Sequence, residues 1–234
     1  MSFSGGRPSL APSGAASIGT LIERIEKSLP NRKVIIYDCD GVLIDSRRSN
    51  QAFYDHILEH FGLPPMTPAQ LDVVHVSTAR AAIDLLFQGS PHREDAQAYQ
   101  LNIDNTPFIS LIEPEPHVRE ILAYLRPAYR TAIATNRGKS LPLVLRRLQL
   151  ADLFDLTVSC YEVKEPKPHP ECLLKVLHHF RVSPREALYI GDAALDGVVA
   201  RAAGMPFAAY KNPVLTADYH LQDHLELINI LSAD

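Results

Sequence analysis

Two aspartates, Asp38 and Asp40, stand directly behind an apolar run in V-I-I-Y-D-C-D-G-V-L-I-D-S, and acids in that place need a reason. The four β-forming residues before them read as a short strand buried on both faces. If strand geometry persists, both carboxylates leave on one side and Cys39 on the other. Like charges that close repel, so the pair calls for a cation between them or for one carboxyl to stay protonated. Gly41 then allows a sharp backbone turn. Asp-Gly is also a common strand-end turn, so this stretch does not decide the matter by itself.

Three further polar clusters share its context. Thr135 and Asn136 follow the apolar segment 129–134, Lys167 lies in E-P-K-P-H-P beyond segment 156–159, and Asp192 and Asp196 lie in G-D-A-A-L-D after segment 187–190. Between these segments run helical patterns at 118–125, 141–150, 173–180 and 194–203, followed by a strand at 205–209 and a closing strand and helix within 218–231. Strand, helix and strand in series imply an α/β fold, a Rossmann-like parallel sheet with helices on both faces. Functional groups in such sheets gather at the carboxyl ends of the strands. A hydroxyl, a lysine and four acids would thus meet on one rim. Each has a plainer use: Thr135 and Asn136 could cap a helix, Asp192 could sit in a turn, and Asp196 could face solvent.

Residues 47–112 break the alternation. Phe53, Ile57, Leu58 and Phe61 form one helical face, Ala82, Leu85 and Leu86 another, and Tyr99, Ile103, Phe108 and Leu111 a third. A small α-helical domain inserted behind a candidate catalytic loop would act as a cap that excludes water and selects substrate. Arg80 is its candidate anion-binding residue. The expected division is a flexible tail and N-terminal helix over 1–30, a core made of 31–46 and 113–234, and the cap over 47–112.

Composition narrows the function. The chain has 234 residues, 46% of them hydrophobic, which supplies one sizeable core with a small second lobe. A net charge of -4 provides no basic field for nucleic acid. No apolar stretch approaches the roughly 20 residues that cross a bilayer, and the first ten residues lack the apolar centre of a signal peptide. Cys39, Cys160 and Cys172 form no C-x-x-C pair, which fits a reducing cytoplasm better than a disulfide framework or a zinc knuckle.

D-x-D-G-V, T-N, K-P-x-P and G-D-x-x-x-D, in that order, resemble the four motifs of the haloacid dehalogenase superfamily. The match is to its phosphatase branch with a helical cap after the first motif, and within it to the phosphoglycolate phosphatase-like subgroup. The resemblance runs from about residue 33 to the end. It implies Asp38 as nucleophile and Asp40 as acid and base, with Thr135, Asn136 and Lys167 at the phosphate. It also implies Mg²⁺ held by Asp38, the Asp40 carbonyl and Asp192, with Asp196 acting behind them. The expected partner is a small phosphorylated metabolite, and the expected assembly a monomer or homodimer.

Asp40 disfavours carbon–halogen cleavage, which needs no second acid. The absence of lysine from 47–112 disfavours a Schiff-base phosphonate chemistry. A sugar phosphomutase of the β-phosphoglucomutase type and a catalytically silent binding protein remain as alternatives. The sequence departs from the subgroup at Ala193, where relatives often carry a hydroxyl, and at His117, where they often carry glycine. The segment V-H-V-S-T-A-R also lacks an expected glycine.

Overall fold

The computed structural model describes residues 33–233, so the tail and helix expected before them lie outside the described residues. In chain order, β1 (Val34–Tyr37) and β2 (Ile44–Asp45) lead into helices α1 (Arg47–His60), α2 (Pro68–His75), α3 (Ala79–Leu86), α4 (Arg93–Asn102) and α5 (Thr106–Ile109). Then come β3 (Glu113–Pro114), α6 (Val118–Leu125), β4 (Arg130–Ala134), α7 (Leu141–Arg147), β5 (Leu156–Val158) and α8 (Glu171–Phe180). β6 (Ala187–Gly191), α9 (Ala194–Ala202), β7 (Phe207–Tyr210), β8 (Tyr219–Leu221) and α10 (Leu227–Ala233) complete it.

Six strands form one parallel sheet in the order β5-β4-β1-β6-β7-β8. β1 lies between β4 and β6, and the chain leaves it toward opposite edges, so the crevice at its carboxyl end is the topological switch point. Burial on both faces explains its unbroken apolar sequence. Ile35 and Tyr37 pack with residues of α6, α7 and α10, while Val34 and Ile36 pack with residues of α8 and α9. Cys39 joins the first of these clusters, opposite the face on which the acids emerge.

Helices α1 to α4 have their own apolar centre, in which Ile57, Leu71, Val74, Ile83 and Phe87 are buried together. Their starts are locally encoded. Thr67 caps α2 in a reciprocal box with Gln70, and Thr78 accepts from the Ala81 N–H at 3.2 Å to begin α3.

The ribbon between this cap and the sheet was not expected from the sequence. β2 and β3 pair antiparallel, Ile44 with Pro114 and Asp45 with Glu113, and strands of two residues carry no period to read. Helix α7 also stops before residue 150, because Gln149 takes a left-handed conformation at φ 53°. His117 is left-handed too, at φ 58°, a conformation that glycine adopts most readily; its Nδ1 lies 2.7 Å from Asp223 Oδ2.

Candidate active site

The polar clusters behind four strands meet at one end of the sheet. Asp38, Asp40, Thr135, Asn136, Lys167, Asp192 and Asp196 all line one small cavity beyond β1. Lys167 is buried at its centre, with Nζ 2.9 Å from Asp38 Oδ1, 2.8 Å from Asp196 Oδ1 and 2.9 Å from the Tyr189 hydroxyl. Burial works against the ammonium charge, but Asp196 and Asp38 outweigh it and hold its pKa above the ordinary lysine value. Asp196 accepts from the Ala193 N–H at 3.1 Å with its other oxygen, so both its oxygens are engaged.

Asp38 and Asp192 are different. Burial, partly offset by Lys167, raises Asp38 to about 6. Burial and the neighbouring acids Asp38 and Asp196 raise Asp192 to about 8. Asp38 Oδ1 is buried and, although it is ion-paired with Lys167, receives no aligned hydrogen bond. Asp38, Asp192 and Asp196 each place one oxygen within 4.8 Å of the others. Three crowded carboxylates share the single charge of Lys167, and such an all-oxygen set fits a hard divalent cation such as Mg²⁺. Gly41 permits the approach: it takes φ +76°, and a Cβ there would fall on the Asp192 carboxylate.

Asp40 is held by a residue that the sequence reading passed over. Arg137 Nε donates to Asp40 Oδ2 at 2.9 Å and Oδ1 at 3.1 Å, and Nη2 donates to Oδ1 at 2.5 Å; the Ser46 hydroxyl also donates to Oδ1. Burial pushes the Asp40 carboxyl up, but Arg137, by charge and hydrogen bond, and the Ser46 hydroxyl hold it below the usual range. The one available signal was position, since Arg137 follows Thr135 and Asn136 at the carboxyl end of β4.

Thr135 accepts from the Arg137 N–H at 3.1 Å, which leaves its own O–H to donate into the cavity. The Asn136 amide turns to the backbone. Its Oδ1 accepts from Lys167 N at 3.0 Å, and its Nδ2 donates to Lys167 O and Val76 O, both at 3.2 Å. It therefore staples the lysine loop and a cap residue to the end of β4. Arg80 is not brought to this cavity. It is exposed and lines a separate apolar hollow with Leu101, Cys160 and Tyr161. From the cap, His75, Val76 and Ser77 line the cavity of the acids, and His75 and Ser77 also line a larger polar one under the cap.

A parallel sheet with acids and a buried lysine at its switch point, under a helical insert, defines a class of α/β hydrolase. The profile described as Haloacid dehalogenase-like hydrolase matches residues 35–210, and the chain belongs to that family. It is 32% identical over 187 residues to a phosphoglycolate phosphatase of Nitrosococcus oceani, covering 75% of this chain and 82% of that protein. Identity is 27% over 178 residues to a phosphorylated carbohydrates phosphatase of Thermotoga maritima, covering 74% and 82%. A crystal structure of a HAD-superfamily hydrolase, subfamily IA, from Geobacter sulfurreducens superposes with a TM-score of 0.71 at 39% identity, covering 87% of this chain and 99% of that one.

Proposed function

We propose that this hydrolase is a Mg²⁺-dependent phosphatase that removes phosphate from a small phosphorylated metabolite through an aspartyl phosphate. The observation that carries the reading is the convergence of Asp38, Lys167 and Asp192 on one cavity at the end of β1. The names of the relatives, phosphoglycolate phosphatase and phosphorylated carbohydrates phosphatase, suggest the substrate range.

Asp38 attacks phosphorus and forms an acyl phosphate as the ester P–O bond breaks. Asp40 gives the leaving oxygen its proton, then takes one from the water that attacks the acyl phosphate, releasing phosphate and restoring Asp38. To hold that proton Asp40 must leave the grip of Arg137, since both its oxygens accept hydrogen bonds in the present arrangement. The Thr135 O–H and the Lys167 ammonium offset charge on the phosphoryl oxygens. Asp196 and Tyr189 position Lys167, and Asn136 fixes its backbone. Asp38, Asp192 and the Asp40 carbonyl would hold Mg²⁺, whose charge would let a carboxylate approach a phosphate.

The test is phosphate release from phosphorylated acids, sugars, nucleotides and pyrophosphate, with Mg²⁺ and with chelator. Asp38→Asn should lose turnover by at least ~10³-fold while its circular dichroism stays unchanged. Near-normal turnover in that variant would remove Asp38 as nucleophile. Transfer of labelled phosphate to a second sugar phosphate, rather than to water, would identify a mutase.

A further inference from the structure

Asn50, on the first cap helix, lies between two nitrogen-bearing side chains, and its orientation decides the chemistry of one of them. Arg137 Nη2 lies 3.3 Å from Asn50 Oδ1, and Asn50 Nδ2 lies 3.0 Å from His75 Nδ1. A guanidinium only donates, so the amide atom facing Arg137 is the oxygen and the one facing His75 is the NH₂. An NH₂ only donates, so His75 Nδ1 must accept and the ring proton sits on Nε2. Protonating Nδ1 would set two donors against each other. Burial, moreover, keeps the ring pKa below its ordinary value and the imidazole neutral.

His75 ends α2 at the seam between cap and core. Its ring is half-buried and lines both the cavity that holds Asp38, Lys167 and Asp192 and the adjoining cavity under the cap. Among the described residues Nε2 has no protein partner. The result is a ring with a defined tautomer and an Nε2–H left to donate, on a residue that lines both the phosphoryl cavity and the adjoining space under the cap. Many surface histidines have a free nitrogen; this one has its tautomer set by a chain that begins at the arginine holding Asp40.

We infer that His75 is a specificity-determining residue, whose Nε2–H selects phosphoesters carrying an acceptor oxygen in the leaving group a few bonds from phosphorus, with Asn50 as its positioning residue. The inference rests on the phosphatase reading above. A site built around a donor penalises a ligand that lacks the matching acceptor, because the donor then enters the complex unpaired.

The test uses 2-methoxyethyl phosphate and butyl phosphate, which are close in shape and differ by one ether oxygen that accepts but cannot donate. Wild type should favour the ether about tenfold in kcat/KM, chiefly through KM, the size expected of one neutral hydrogen bond. His75→Phe should bring the ratio near one. His75→Gln, whose amide NH₂ falls near the place of Nε2, should restore most of it. Nitrogen-15 spectra of histidine-labelled protein supply a readout independent of turnover: the His75 Nδ1 signal should be that of an unprotonated ring nitrogen, and Asn50→Asp should move the proton onto Nδ1. A protonated Nδ1 in wild type, or an active wild type whose ratio His75→Phe leaves unchanged, overturns the inference while the phosphatase reading stands. A wild type that releases phosphate from no compound overturns both.

Discussion

Replacing Lys167 by methionine keeps the volume of the side chain and removes its charge. The ammonium it deletes is 2% exposed and lies within 2.9 Å of two carboxylates that are themselves 12% and 1% exposed. Those acids lose their cation without gaining water, the situation in which breaking a buried pair costs about 3–5 kcal/mol. The least costly escape is to protonate one carboxyl, and forcing a proton onto an acid of ordinary pKa costs about 4 kcal/mol at pH 7 but about 1.5 kcal/mol at pH 5. The sign follows from linkage: in the variant the folded-state pKa lies above the unfolded one, so stability is lost as pH rises. Asp38 is already raised to about 6 in the wild type and takes up part of a proton over the same interval, so the destabilisation of Lys167→Met should shrink by about 1–1.5 kcal/mol between pH 7 and pH 5. Urea unfolding at both pH values, in chelator so that no cation substitutes for the lysine, measures it. A destabilisation below about 1 kcal/mol, or one that does not change with pH, would refute the claim that Lys167 neutralises buried acids.

Three other consequences can be measured directly. His224 is fully buried, with Nε2 donating to Val42 O at 2.7 Å, and burial lowers its pKa from 6.5 to about 4. The unfolded chain alone takes up a proton as pH falls from 6.5 toward 4, so about 2 kcal/mol of stability should disappear between pH 7.5 and pH 5, a component that His224→Leu should lack in the same urea titration. Ala193 starts α9 with no side-chain cap, and Ala193→Ser should raise the urea midpoint by an amount equivalent to about 1 kcal/mol; an unchanged or lower midpoint would count against that cap. Gly41→Ala should destabilise by about 1–3 kcal/mol and abolish Mg²⁺ binding in calorimetry, since its Cβ would displace Asp192.

The parallel sheet, the helices on its two faces and the convergence of four polar clusters were legible in the sequence, because burial and secondary structure leave local periodic traces. Val34–Tyr37 is apolar without a break because β1 is central, and Asp38 and Asp40 emerge away from Cys39 because side chains alternate along a strand. What each polar group binds was decided elsewhere. Arg137 and Asp40 are 97 residues apart, Asn136 and Lys167 are 31 apart, and no local pattern in a chain encodes such a pairing. The same limit applied to the cap. From residue type alone Arg80 was the natural anion-binding candidate, yet the packing of α2, α3 and α4 leaves it exposed and brings His75 to the acids instead. Sequence periodicity records which face of an element is buried; only the assembled tertiary structure determines which polar atoms at that face come within hydrogen-bonding distance.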